Sequence, residues 1–471
     1  IAISFNRYHK IKRAIENKDI SSVFLFENVE EFIPLNNFEL NKLCNDNNWN
    51  AIFYSHVINF LKPKLKEKIN KIEINRKKKK LSLKNSVKKY IFSILTLFYK
   101  KKDPVITSTY LPFFENLKLF FYLKQIPTIW FAPILERDKI NLKNRKLLSP
   151  NQAEKNFENF VKSLIPFSIP ICHIELFKEM NEKLRLLKLP ENPKFIYTTN
   201  NYEYDEYFKL YVALKKENKT KYIIGQHGNI SWIEDIFFEN QHSADHYLYW
   251  GKDGFGKNEN GFNFKLKRKF QNKSKGYLLI LDSPFGTNNK IFNRIDENYE
   301  KEDSLKILLT NLEKNIKENI IFKLHSSFDL RERDYIEKLK KICPKIKIET
   351  NNKKTSELVQ NSKCVLHLYD STGILETMSY NVPTLCMWQN EFNHIQKKYH
   401  NLYFALKKNE IFFNEPLALS EHINKNWNDV QKWWLKENIQ SCKKFLLNEL
   451  SIFPDKNSTF KLSKKLLELS S

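Results

Sequence analysis

Short β-rich runs alternating with longer helical patterns constrain this chain more than any other feature. In the first half the runs are Val23–Phe26, Ala51–Tyr54, Val105–Ser108, Thr128–Phe131, Phe195–Thr198, Tyr222–Ile224 and Tyr247–Trp250. The second half offers Tyr277–Leu281, Ile320–Lys323, Ile346–Ile348, Val365–Leu368 and Thr384–Met387. Strands separated by helical segments predict parallel sheets covered by helices on both faces. The expected fold class is α/β, with two doubly wound Rossmann-like domains and a cleft between them. The polar stretch Gly251–Lys275 marks the boundary, so residues 1–255 form one domain and 265–415 the other. After Phe413 the pattern is wholly helical, with Trp427, Trp433 and Trp434 as a heavy apolar face. Residues 416–471 are expected to pack back across the domains.

Glycine usage points to where the site lies. All nine glycines of the 471 residues fall between Gly225 and Gly373. A chain this poor in glycine keeps it where a Cβ is not tolerated. The glycines cluster around Gln226-His227-Gly228, Trp250-Gly251, Asp282-Ser283-Pro284-Phe285-Gly286 and Asp370-Ser371-Thr372-Gly373, each after an apolar run. Strand, tight polar loop and helix is the place where α/β proteins build ligand sites.

Three motifs carry chemistry. In Ile223–Asn229 the glycines let the backbone turn, leaving the Gln226 and His227 side chains free to project; Glu234 and Asp235 follow on the same loop. An imidazole or carboxylate there can act as a base, the plain alternative being a histidine that caps the loop by hydrogen bonding. Asp235 is favoured over Glu234, with His227 as an alternative base or a phosphate-side partner and Glu136 or Glu203 next. In Ile321–Ser327, Lys323 and His325 lie two apart at a strand end and point to one side. Ser326 and Ser327 then open a helix, a setting that suits phosphate. The plain alternative is N-capping by Ser327 or Asp329. The third motif, Val365–Glu376, ends a strand in Asp370-Ser371-Thr372-Gly373. Amides and hydroxyls at the next helix start would hold phosphate, and Glu376 would accept from a ribose diol. A capping box is the structural alternative.

Net charge is +25, from 79 Lys plus Arg against 54 Asp plus Glu. It concentrates at Arg76–Lys80, Lys84, Lys88, Lys89 and Lys100–Lys102, on either side of the apolar stretch Tyr90–Tyr99. That stretch is too short for a bilayer crossing of about 20 residues. It suits an anionic membrane surface better than nucleic acid, with a solvated loop and an ordinary buried helix as the plain alternative. The six scattered cysteines lack any C-x-x-C pair and read as reduced, buried thiols of a cytoplasmic protein. No signal peptide is expected. No metal site is expected either: His242 and His246 form the one i,i+4 His pair, and a helix surface or cap explains them.

The motif order resembles that of GT-B glycosyltransferases with cytidine-activated donors. Lys323-Leu-His-Ser resembles the Lys-x-His-Pro motif of bacterial sialyl-, polysialyl- and Kdo-transferases. Asp370-Ser-Thr resembles their Ser-Ser motif and the Asp-Tyr-Ser-Ser element of teichoic-acid CDP-glycerol transferases, whose N-terminal His-Gly segment Gln226-His-Gly also resembles. From about Leu187 to Leu446 the chain looks like a transferase family of bacterial O-antigen and surface-polysaccharide loci. The likeness rests on Leu189-Pro-x-x-Pro193, Tyr249-Trp-Gly, Leu375-Glu-Thr, Asn381-Val-Pro-Thr and Trp427-Asn-Asp-Val-x-x-Trp-Trp434. Two positions depart: Ser326 stands where Pro is usual and Thr372 where a second Ser is usual.

The resemblance implies a metal-independent glycosyltransferase with no cofactor beyond its nucleotide-sugar donor. The donor would be CMP-linked and carry a Kdo- or nonulosonate-like sugar. Lys323, His325, Ser326, Ser371, Thr372, Gly373 and Glu376 would hold it, while Asp235, His227 and Glu234 supply catalysis. The acceptor would be a surface glycan or a lipid-linked one, met at the inner membrane face through residues 76–102. A CDP-glycerol-type phosphotransferase and a non-catalytic scaffold are the alternatives.

Overall fold

The computed structural model describes residues 2–17, 20, 22–26, 28–44, 46–61, 66–74, 76, 83–137, 140–148, 154, 156–228, 242–251, 258–266, 276–282, 295–325, 333–350, 353–389 and 391–471. Its strands are β1 (Ser22–Phe26), β2 (Lys66–Asn70), β3 (Val105–Thr107), β4 (Phe195–Thr198), β5 (Lys221–Gly225), β6 (His246–Tyr249), β7 (Asn258–Asn260), β8 (Tyr277–Leu281), β9 (Ile320–Lys323), β10 (Lys347–Glu349), β11 (Ser362–His367), β12 (Thr384–Met387) and β13 (Phe412–Phe413). They form a small β1-β2 pair, a five-stranded sheet β3-β4-β5-β6-β7 and a six-stranded sheet β10-β9-β8-β11-β12-β13. Every pairing is parallel.

The central strands of both large sheets are buried on two faces, which is why they are apolar at successive positions. In β4, Ile196 packs with Val105, Ile224 and Tyr247, while Phe195 and Tyr197 pack with Ile106, Ile223 and Leu248. In β8, Leu278 and Ile280 join Phe322 and Leu366, while Leu279 joins Val365, Val382 and Leu358. Two α/β halves with parallel sheets covered on both sides make up the GT-B class of fold.

Several expectations change. Ala51–Tyr54 is not a strand but lies inside the helix Asn47–Leu61, which buries Trp49, Ile52, Phe53 and Val57 at helical spacing. A short apolar run fits either element, and here the flanking residues extend the helical period. Thr128–Phe131 forms no strand either. The Thr128 hydroxyl accepts from the Ile106 amide and donates to the Ile106 carbonyl, both at 2.9 Å, so a side chain occupies that edge of β3. The stretch Tyr90–Tyr99 begins in the helix Leu83–Leu95.

The C-terminal segment straps the halves together. Helix Glu437–Leu450 buries Ile439, Cys442, Leu446 and Leu450 in the second core. The chain then crosses over: the Ile452 amide donates to the Trp250 carbonyl at 2.6 Å, and the Asn263 amide to the Ile452 carbonyl at 3.0 Å. A Cβ at Gly251 would stand 2.5 Å from the Glu449 carbonyl oxygen, so this crossing requires glycine. Helix Ser458–Glu468 ends in the first core, with Leu462 and Leu466 beside Ile106 and Leu119. All six cysteines are buried, and no disulfide joins any of them. Among the described residues no helix is long and apolar enough to cross a membrane.

Candidate functional site

The six-stranded sheet changes winding direction between β8 and β11. Open α/β sheets take ligands in the crevice outside the carboxyl ends of the strands at such a point. Here β11 runs out at His367, and Asp370-Ser371-Thr372 leads into the helix Thr372–Ser379. Ser371 is the N-cap residue, yet its side chain makes no capping bond. Its hydroxyl instead lies 3.4 Å from His367 Nδ1, and His367 Nε2 lies 3.1 Å from the Thr377 hydroxyl. That hydroxyl donates to the Ile374 carbonyl, so Nε2 is assigned as the donor and Nδ1 as the acceptor. Burial pushes the His367 pKa down to about 3, which keeps the ring neutral. A Cβ at Gly373 would sit 3.0 Å from His367 Cε1, so this buried ring is why the position is glycine. Asp370 is fixed as well: its Oδ2 accepts from Tyr403 Oη at 2.8 Å and lies 3.1 Å from His394 Nε2.

His325 reaches this loop through Tyr369, its ring meeting the tyrosine edge-on at 6.1 Å. Lys323 lies on the β10 side. Its ammonium is 3.5 Å from the Lys353 carbonyl, and burial lowers its pKa against the opposing charge of Glu349.

In the first half, β5 delivers Gln226-His227-Gly228. Gln226 does not project freely, contrary to expectation. It is buried, accepts from the Trp250 amide at 2.8 Å and donates to the Gly228 carbonyl at 2.7 Å, which fixes the loop. His227 Nε2 lies 3.4 Å from Glu203 Oε1, and its ring stacks on Tyr110 at 6.1 Å. Burial lowers the His227 pKa, Glu203 opposes the shift and Lys265 adds to it. Tyr110 and Ser108 hold left-handed backbone, with φ of 54° and 49°. Such strain persists only where neighbours enforce it. Here the Thr199 amide donates to the Ser108 carbonyl at 3.2 Å, and Asn200 Nδ2 to Tyr110 Oη at 2.7 Å.

Lys265 joins these pieces. It donates to the His227 carbonyl at 2.7 Å and lies 4.8 Å from the Tyr110 ring centre and 5.4 Å from that of Trp250. Burial lowers its pKa, and the charge of Glu376 across the cleft opposes this. A cavity of about 30 Å³ beside it, lined by Tyr110, Thr199, Gln226, Trp250 and Lys265, has room for one or two waters. The two halves meet where a Cβ at Gly228 would come within 3.3 Å of the Thr372 hydroxyl.

The structure therefore brings the His227-Gly228 turn up to Thr372 and, through Lys265, towards Glu376, with Ser371 and Gly373 at the same helix start. Asp235, Glu234 and Ser326 lie outside the described residues. Glu203 pairs with His227, whereas Glu136 is exposed. Sequence reasoning missed Lys265, which falls in the stretch read as a boundary, and also Tyr110, His367 and Tyr403. The one available signal was the close spacing of His367 to Gly373.

A family model described as LIC12162 family transferase matches residues 1–451. The chain belongs to that family. Among curated proteins none matches. Of solved structures, the wall teichoic acid polymerase TagF is similar at 14% identity, TM-score 0.39, over 82% of this chain and 95% of that one. S. aureus MnaA, in a co-structure with UDP, is similar at 12% identity, TM-score 0.42, over 79% and 98%. Acinetobacter baumannii MurG is similar at 11% identity, TM-score 0.38, over 63% and 79%.

In this LIC12162 family transferase, Cys172, His173 and Glu206 bring possible metal-ligating atoms within 4.8 Å of one another. Lys209 already pairs with the Glu206 carboxylate at 3.0 Å, and burial pushes the Cys172 thiol up to about 12. A cationic neighbour and a firmly protonated thiol fit a structural ion pair better than a metal ion.

Proposed function

We propose that this transferase moves a Kdo- or nonulosonate-like sugar from a cytidine-activated donor to a surface glycan or lipid-linked acceptor. The observation that carries the reading is the approach of the His227-Gly228 loop to Thr372 across the cleft. The turn that carries His227 comes up to the helix start of the other half, which supports this reading.

In this reading the donor phosphate lies at the Asp370-Ser371-Thr372 turn, where helix amides and the Thr372 hydroxyl offset its charge. His227, neutral because it is buried, takes the proton of the acceptor hydroxyl. The oxygen attacks the anomeric carbon, the carbon–oxygen bond to phosphate breaks, and the nucleotide leaves with the bonding pair. Glu203 stabilises the imidazolium that forms. Lys265, between the His227 carbonyl and Glu376, adds positive charge where the leaving phosphate needs it. Asp235 and Glu234 follow in the sequence and remain candidate bases. Transfer by this route requires no metal ion. The basic stretch 76–102 would hold the enzyme at the anionic inner membrane face.

The test is turnover of a CMP-sugar by the purified chain with an extracted glycan or lipid acceptor. Release of CMP together with a glycosylated product is expected. Turnover of CDP-glycerol instead would move the reading to a phosphotransferase, and binding without turnover of either donor would make the chain a scaffold.

A further inference from the structure

The helix Leu83–Leu95 and the turn after it carry an apolar stripe that faces outward. Val87, Tyr90, Ile91, Ile94, Leu97 and Phe98 are all exposed, while Phe92 is buried on the opposite side. Such spacing normally marks a face turned to the core. The helix Phe113–Tyr122 repeats the pattern: Phe114, Leu117 and Phe121 share one face and are exposed, and Leu119 and Phe120 are buried on the other. Phe114 is 73% exposed, Phe121 77% and Phe98 65%. Phe98 and Phe121 belong to one surface, because both line a groove of about 710 Å³ together with Tyr122, Ile126 and Phe460 of the C-terminal helix. Lys100 and Lys124 stand on the same wall, and Lys101 and Lys102 are exposed next to it. Asp103, the acid on that wall, accepts from the Lys100 amide at 2.9 Å.

We propose that this face is a docking surface for an anionic bilayer. Phe98, Phe114, Leu117 and Phe121 insert into the interface, and the lysines meet lipid phosphates. Apolar side chains beside cations are the combination an anionic membrane rewards, since area burial and charge attraction add at the same depth. This deepens the membrane placement proposed above: the basic stretch steers, while the second helix and the groove supply the insertion. The surface lies on the first half, which in that reading presents the acceptor.

The experiment is co-sedimentation of the full chain with vesicles of phosphatidylcholine, with and without about a third phosphatidylglycerol. The parent should bind the anionic vesicles and lose most binding in high salt. Phe114→Ser with Phe121→Ser should reduce anionic-vesicle partitioning at least tenfold, with thermal midpoint and CMP binding unchanged. A single Phe121→Glu should act in the same direction. Unchanged partitioning in both variants would overturn the proposal. So would a parent dimer in sedimentation velocity that the same substitutions dissociate, because the face would then join two copies of the chain. Vesicle binding is read without any donor, so loss of the transferase reading and loss of this surface are separate results.

Discussion

His227 and Glu203 are paired at 3.4 Å although they follow different strands, β5 and β4. Parallel neighbours deliver their carboxyl ends to the same edge, and the Gln226 bonds to Gly228 and Trp250 fix the height of the imidazole there. A neutral histidine oriented by a carboxylate is a competent base. His227→Ala is expected to lower kcat by about 10²–10⁴ while CMP affinity stays near parental. Glu203→Gln should lower kcat by less, because the base itself remains. Steady-state kinetics beside nucleotide titration separates the two quantities. A rate loss confined to Asp235→Asn would transfer the role to that carboxylate.

The pH profile carries a sign for each neighbour. Burial places the His227 pKa below its ordinary 6.5, so activity should persist into mildly acidic solution and fail as the ring protonates. Glu203 raises that pKa and Lys265 lowers it. The acid limb of kcat/KM should therefore move to lower pH in Glu203→Gln and to higher pH in Lys265→Met. Shifts in the same direction would show that the limb belongs to another group.

The sheet strands were legible because burial on both faces writes an uninterrupted apolar run, as in Phe195–Thr198 and Tyr277–Leu281. The strand β2, Lys66–Asn70, was not, since it is polar and takes its order from pairing with β1. The site was legible where glycine marks a close approach, at Gly228 and Gly373. It was not where function comes from a fold-dependent meeting of ordinary residues. Lys265 is one of 79 basic residues, and only the fold places it between Tyr110 and Trp250. Tyr403 and His394 reach Asp370 from more than 20 positions further along the chain, with no local pattern to announce them.

Packing at Gly373 sets a stability prediction. Gly373→Ala puts a methyl group 3.0 Å from His367 Cε1, a fully buried ring held by its contact with the Thr377 hydroxyl. A loss of about 1–3 kcal/mol is expected, read from chemical denaturation. His367 also makes the fold sensitive to acid. Its folded pKa of about 3 lies below the ordinary 6.5, so the unfolded state binds the proton first. Stability should fall as pH drops from about 6.5 towards 3, by about 1.4 kcal/mol per unit from this residue. His367→Gln should flatten that slope relative to the parent.

The central claim is that a cytidine nucleotide is held at the Asp370-Ser371-Thr372 turn, and a thermal-shift panel of CMP, CDP, UDP, GDP and dTDP tests it most directly. Only a ligand that binds the native state raises the midpoint, with about 2.7 kcal/mol of stabilisation at a hundredfold excess over Kd. CMP or CDP should raise the midpoint of the parent. Thr372→Val and His325→Ala should each weaken that response by about tenfold in affinity, as loss of a charge-assisted hydrogen bond requires. A midpoint raised by UDP, GDP or dTDP and untouched by the cytidine nucleotides, or a cytidine response unchanged in both variants, would contradict the account.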